Sequence, residues 1–266
     1  MISKIKRIVR KYREYLYTKI KILKEQKIFR YKGVKVKYIL KEADGADTLA
    51  VVFSACTRKG LRARYNYVKT LDGMKCNRLY ILDDYAKDHR GSYYIGGNFK
   101  FDEEAATRAL IQKMMEDLKP VKIVFCGSSK GGYAALNFGT EFPNAIMIVG
   151  APQYFLKTYL LEHKNFHTIK HILGERTEEK DTVLEFYLKN KLRKNKNIQS
   201  QTVYFHFSDK EHTYEEHIVH MLKDMEEMDY RVEKDIANYT NHSDVSYYFP
   251  DFLKKNLATI IEMQNK

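Results

Sequence analysis

The segment Ile123-Val124-Phe125-Cys126-Gly127-Ser128-Ser129-Lys130-Gly131-Gly132-Tyr133 carries the sharpest chemical signal in the chain. An apolar run enters G-x-S-x-G, and a small-residue helical pattern follows at once. Such a turn needs small residues two positions either side of its serine, because the nucleophile sits in a strained backbone conformation and its neighbours pass close to other backbone. Ser129 meets that spacing. Centring on Ser128 would put Cys126 and Lys130 at the flanks, and lysine is too large. A serine hydroxyl attacks a carbonyl only when a histidine removes its proton, and that histidine needs a carboxylate to hold its tautomer and stabilise its charge. His242 is the expected base, in the polar loop Asn238–Asp244, and Asp209 the expected acid, just past an apolar strand, with Glu211 as its rival. His212, His217 and His220 are rival bases. The Lys130 backbone N–H, at the start of the following helix, can stabilise an oxyanion, and Ala55 or Cys56, after an earlier strand, can supply the second N–H. Cys56 as a nucleophile is the competing chemistry, although no nearby motif would activate its thiol. Arg58 in the same loop can reach a polar or anionic substrate group. Tyr93 and Tyr94, set among glycines in the segment Gly91–Asn98, suit a sugar or other polar ring. His217-x-x-His220 is not the H-E-x-x-H of zinc hydrolases, so no metal set is expected, and the chemistry calls for no cofactor.

These side chains must be gathered by elements that lie far apart in sequence. Short apolar runs at Thr48–Ser54, Arg78–Leu82, Lys122–Cys126, Ala145–Val149, Thr202–Phe207 and, more weakly, Tyr230–Ile236 alternate with helical patterns at Asp102–Leu118, Lys130–Gly139, Tyr214–Met228 and Ser246–Met263. Runs buried on both faces and separated by helices predict an α/β fold with a mostly parallel sheet. Alternation around Gly33 between Phe29 and Glu42 predicts an early antiparallel hairpin or edge strands. Residues 152–200 show no strand pattern and read as a helical insertion of lid or cap type. Ser129, the acid and His242 would each follow a strand, in the chain order of doubly wound hydrolases.

The 266 residues suffice for one large core, and 44 % hydrophobic residues with only 4 Pro and 13 Gly exclude a disordered chain. Three cysteines with no C-x-x-C spacing suit a reducing compartment, and no run reaches the length of a membrane-spanning helix, so a cytoplasmic location is expected. Net charge is +13, of which residues 1–30 carry +9. There, Ile2, Ile5, Val9, Tyr12, Leu16, Ile20 and Leu23 draw one apolar stripe beneath a basic face, so residues 1–30 are read as an amphipathic helix able to touch an anionic membrane surface, a partner or its own domain, with residues 31–266 forming the main domain. No nucleic-acid-binding signature accompanies the charge, and nucleic acid is not an expected partner.

From about residue 45 onward, the order and strand context of Ser129, Asp209 and His242 resemble the α/β-hydrolase superfamily. More narrowly, Gly91-Ser92-Tyr93-Tyr94 followed by Gly127-Ser128-Ser129-Lys130-Gly131-Gly132-Tyr133 is similar to capsular polysaccharide biosynthesis proteins of the XcbB/CpsF type and to the acetyltransferase-like component of accessory Sec systems. That resemblance implies acyl chemistry, as an esterase or O-acetyltransferase, on a bacterial capsule or surface glycan. The alternative is a non-catalytic subunit of a surface-glycan or secretion complex. The loop after Thr48–Ser54 departs from the His-Gly type of many esterases.

Overall fold

A computed structural model describes residues 16, 20 and 24–263 of the chain. Most of the apolar stripe read within residues 1–30 lies outside the described residues, and residues 27–30, expected to belong to the same helix, are instead strand. Leu16 and Ile20, which belong to the stripe, are helical and exposed. None of the described helices is long and apolar enough to cross a membrane.

Eight strands form one sheet: β1 (Lys27–Tyr31), β2 (Val34–Lys41), β3 (Thr48–Phe53), β4 (Asn77–Leu82), β5 (Lys122–Ser128), β6 (Ile146–Gly150), β7 (Thr202–Phe207) and β8 (Arg231–Ile236). Their spatial order is β1-β2-β4-β3-β5-β6-β7-β8. The hairpin β1–β2 and the pair β2–β4 are antiparallel, and all later pairs are parallel. Every residue of β3 and β4 is buried, as apolar runs covered on both faces require. The outermost strand β8 is charged and half exposed, which blunts a sheet edge against further pairing.

Helices cover both faces. α1 (Asp102–Leu118) packs on β1, β2 and β3; α2 (Lys130–Gly139) on β3, β5 and β6; α8 (Val245–Glu262) on β5, β6 and β7. Side chains alternate along a strand, so Met147 and Gly150 of β6 face opposite ways. α2 approaches the Met147 face so closely that a Cβ at Gly139 would lie 2.7 Å from the Met147 sulfur, while Phe249 of α8 fills the space over Gly150. Between β6 and β7 the chain forms four short helices, α3 (Leu156–Glu162), α4 (Phe166–Leu173), α5 (Glu178–Glu185) and α6 (Tyr187–Arg193). After β7, a π-helical turn (Tyr214–Ile218) leads into α7 (Val219–Glu227) where one continuous helix is expected from the sequence.

The segment between β4 and α1 is irregular and tightly determined. Ala86, His89, Gly91, Tyr93, Tyr94, Gly96, Asn98, Phe99 and Phe101 all have positive φ, a conformation that costs non-glycine residues energy and persists only where surrounding contacts fix it. The fixing group is Asp83, fully buried at the end of β4. Its carboxylate accepts the Ser92 N–H at 2.8 and 2.9 Å and the Tyr94 N–H at 3.2 Å. Lys130, the first residue of α2, sends its ammonium to the Asp83 carboxylate at 2.9 Å, the Asp83 carbonyl at 3.1 Å and the Arg90 carbonyl at 3.0 Å. Only glycine fits at residue 91, where a Cβ would stand 2.2 Å from the Lys130 Nζ. The insertion is tied to the same segment: the N–H groups of Asn98 and Phe99 donate to the His171 and Ile172 carbonyls, and the Thr168 hydroxyl donates to the Gly91 carbonyl. Arg90 reaches Asn165 at 2.8 Å, and His171 pairs with Glu103 of α1 at 2.8 Å.

Two outcomes follow. Lys130→Met removes the ammonium from a buried pair and leaves Asp83 uncompensated, so urea unfolding is expected to show a loss of about 3–5 kcal/mol, against under about 1 kcal/mol for the exposed Lys113→Met. The hydrogen bond that His171 donates to Glu103 outweighs burial and holds the His171 imidazolium to higher pH than usual. A raised folded value makes this contribution complete below the unfolded histidine range and lost as pH rises through the folded one. His171→Gln therefore narrows the stability difference from the unaltered protein as pH is raised, measured by unfolding midpoints on both sides of neutrality.

Candidate active site

Parallel strands all present their carboxyl ends at one rim, where open α/β sheets build ligand sites. The turn at Ser129, the loop after β3, the segments after β6 and β7, and the His242 turn after β8 meet there. Register explains the proximity: Ser128 lies opposite Gly150, and Gly150 opposite His206.

Ser129 has φ 51° and ψ −122°, outside the regions comfortable for an L-residue, and its N–H donates to the Gly150 carbonyl at 2.7 Å. The flanking glycines are required by contact. A Cβ at Gly127 would lie 2.3 Å from the Gly131 backbone, and one at Gly131 would lie 2.7 Å from the Phe53 carbonyl oxygen. The Ser129 hydroxyl lies 2.9 Å from His242 Nε2. His242 opens a 3-10 turn directly before α8, and its Nδ1 is 3.2 Å from Glu211 Oε1. The Glu211 side chain is wholly buried, while His242 keeps a narrow opening to solvent.

The carboxylate that meets His242 is thus that of Glu211, and the expected Asp209 lies outside the constellation. Past β7, the buried Ser208 hydroxyl donates to the Tyr239 carbonyl and accepts the Lys210 N–H, and this turn leaves the Asp209 side chain exposed. The chain comes back toward the imidazole two residues later, where glutamate has the extra methylene to reach it. Thr213 completes the carboxylate's surroundings, its N–H donating to Oε2 at 3.1 Å and its hydroxyl to Oε1. Burial opposes the charge on Glu211, but the hydrogen bond and charge of His242, with the two Thr213 donors, outweigh it and hold the carboxyl below its usual range. It faces His242 as a carboxylate.

Around this line the other expected residues divide. The Lys130 N–H stands at the first position of α2, where no intrahelical acceptor exists. The Ala55 N–H donates to Asn66 Oδ1 at 2.9 Å and is therefore not free for an oxyanion. Among the described residues the Cys56 N–H has no such acceptor, and its loop is held by Arg90, which donates to the Thr57 carbonyl at 2.9 and 2.7 Å and to Cys56 Sγ at 3.1 Å. Arg58 is exposed at the surface of the same loop.

Tyr93 and Tyr94 do not present rings to a substrate. Positive φ at both turns them inward, and both are buried. The Tyr94 hydroxyl donates to the Ile81 carbonyl at 2.9 Å and accepts the Ser54 N–H at 2.7 Å, so it braces the rim. The Tyr93 hydroxyl donates to Gln153 Oε1 at 3.3 Å. Gln153, which sequence reasoning missed, is fully buried and sends its Nε2 to the Ser129 hydroxyl at 3.1 Å, with His242 Nε2 3.4 Å away. Its only sequence signal is position, three residues past the end of β6. Ser128 is also held, 2.5 Å from the Tyr67 hydroxyl. Of the rival histidines, His212 is exposed with its ring centre 6.0 Å from that of His242, His217 is buried, and His220 is exposed.

The crowding at Gly131 has a measurable consequence. Gly131→Ala forces the new methyl against strand backbone that cannot step aside, and is expected to cost about 1–3 kcal/mol in chemical unfolding. Gly60→Ala, where the space is open and the strain is only that of positive φ, costs less.

No family model matches the sequence, and no curated protein matches it. Solved structures do. The capsule O-acetyltransferase of Neisseria meningitidis serogroup A superposes with a TM-score of 0.73 at 20 % identity, over 89 % of this chain and 94 % of that one. A variant of that enzyme has been solved in complex with CoA. The Glycosylation Associate Protein complex of Streptococcus agalactiae gives 0.71 at 16 % identity, over 89 % and 46 % of the two chains. The fluorophosphonate-binding serine hydrolase FphF of Staphylococcus aureus gives 0.65 at 11 % identity, over 90 % and 98 %. With its sheet order, its turn at Ser129 and these likenesses, the chain has the α/β-hydrolase fold.

Proposed function

We propose that the protein is a serine-dependent acyltransferase or esterase working through O-acetyl chemistry on a bacterial capsule or surface glycan. The observation that carries this reading is the unbroken line from the Ser129 hydroxyl through His242 to Glu211, at 2.9 and 3.2 Å. In the reaction, His242 Nε2 takes the Ser129 proton as the oxygen attacks an acyl carbonyl, and Glu211 holds the ring with its proton on Nδ1 and stabilises the imidazolium. In this reading the Lys130 and Cys56 N–H groups receive the oxyanion, and His242 returns the proton to the leaving group. Water or a sugar hydroxyl, deprotonated by the same histidine, then takes the acyl group from Ser129.

Support for the transfer direction and the glycan comes from the meningococcal capsule O-acetyltransferase, similar in fold, and from the CoA bound to its variant. Support for a serine ester intermediate comes from the likeness to a fluorophosphonate-binding hydrolase. Gln153, donating to the Ser129 hydroxyl, orients its lone pairs and leaves its proton directed at His242.

The test uses p-nitrophenyl acetate, acetyl-CoA with a glycan acceptor, and a fluorophosphonate probe. Unaltered protein labels and turns over ester. Ser129→Ala abolishes both while its unfolding curve stays cooperative. Glu211→Gln is expected to lower kcat by about 10³–10⁴-fold, whereas Asp209→Asn stays within about twofold. A folded, unaltered protein that neither labels nor turns over ester or acetyl-CoA overturns the proposal.

A further inference from the structure

A second group of chemically able side chains stands beside the Ser129–His242 line. His163 closes α3 in the insertion, while His212 and Glu216 lie four residues apart on the segment that follows β7. One ligand atom from each of the three lies within 4.8 Å of the other two. The ring centres of His163 and His212 are 5.1 Å apart, and His212 Nδ1 lies 3.0 Å from Glu216 Oε2. All three reach solvent at least partly, so an ion can enter.

An independent observation points at the same place. His217 is buried, and among the described residues its Nε2 has no hydrogen-bond partner. The Phe155 N–H donates to its Nδ1, so the neutral ring carries its proton on Nε2, and that atom lies 4.0 Å from Glu216 Oε2. A buried N–H without an acceptor is costly, and a ligating carboxylate characteristically takes a hydrogen bond from just such an outer donor.

We propose that His163, His212 and Glu216 form a binding site for a divalent transition-metal ion of the zinc type. Two imidazoles and one carboxylate are a ligand set that zinc favours, leaving a fourth position for water or an external oxygen. Tetrahedral zinc with bonds of about 2.0–2.1 Å holds its ligands about 3.3 Å apart, so the side chains have only to draw inward. The site joins two elements: the end of α3 and the segment that carries Glu211 and Thr213. It also sets a dication beside His242, where positive charge disfavours the imidazolium that proton transfer requires. Insofar as the acyl-transfer reading holds, occupancy slows the chemistry at Ser129.

The experiment uses the full chain and Zn²⁺ alone, with binding read by competition against a chromogenic chelator and independently of any activity. One equivalent is expected to bind, His163→Ala and His212→Gln each to weaken it at least ~10-fold, and His220→Ala and His242→Ala to leave it unchanged. Zn²⁺ should slow fluorophosphonate labelling of the unaltered protein, with recovery on chelation and no slowing in His163→Ala. Binding that survives both ligand variants, or that is lost equally in His242→Ala, overturns the site. Zinc binding of the expected pattern in a protein that never labels leaves the site standing and removes the acyl-transfer reading instead.

Discussion

A single buried ion pair sets the rim of this protein. Lys130 occupies the position directly after the candidate nucleophile, where the backbone leaves the strained serine turn for the helix. Its side chain runs inward to Asp83, at the end of a different strand. Burying two charges costs several kcal/mol per ion unless every remaining donor and acceptor is met. Here they are met, by two carbonyls on the ammonium and by the Ser92 and Tyr94 amides on the carboxylate. Those partners dictate the path of the long segment after β4. Its run of positive φ angles, the absence of any side chain at Gly91 and the inward tyrosines all follow from it. The pair thereby locks the serine turn to the loop after β3, because Tyr94 and Arg90, positioned by the same segment, hold Ser54, Cys56 and Thr57.

Much of this architecture was legible in the sequence because it rests on local rules. Six apolar runs, helical patterns between them and one G-x-S-x-G state which elements form and which serine sits at a strand end. Ser129 and His242 were readable for that reason. The acid was not, because its identity depends on how a few residues turn after a strand, and that turn is decided by Ser208 bonding to Tyr239, a contact across thirty-one positions. Reading the nearest carboxylate as the acid assumes the shortest path, and the chain takes a longer one to Glu211.

The tyrosines fail for a related reason. Aromatic hydroxyls among glycines suit a sugar site, but the same composition serves a loop that must turn back on itself around a buried carboxylate. Nothing in the residues nearby announces Asp83 as the organiser, since its partner lies forty-seven positions away. Gln153 was invisible on the same ground. A buried amide beside a nucleophile has no local pattern, and only the alignment of β5 with β6 brings it there. Whatever the sheet register or a long-range polar bond determines has to be seen folded.

The four short helices between β6 and β7 are often imagined, in folds of this kind, as a gate that swings. Here Asn165, Thr168, His171 and Ile172 are stitched to the loop that Asp83 organises, by bonds at 2.8, 3.1, 2.8 and 2.6 Å. A hinge motion would have to tear that seam and unsettle the anchorage of the serine turn with it. The insertion and the serine turn therefore lean on one scaffold, and whatever loosens residues 165–172 also loosens the backbone that holds Lys130 and Ser129 in place.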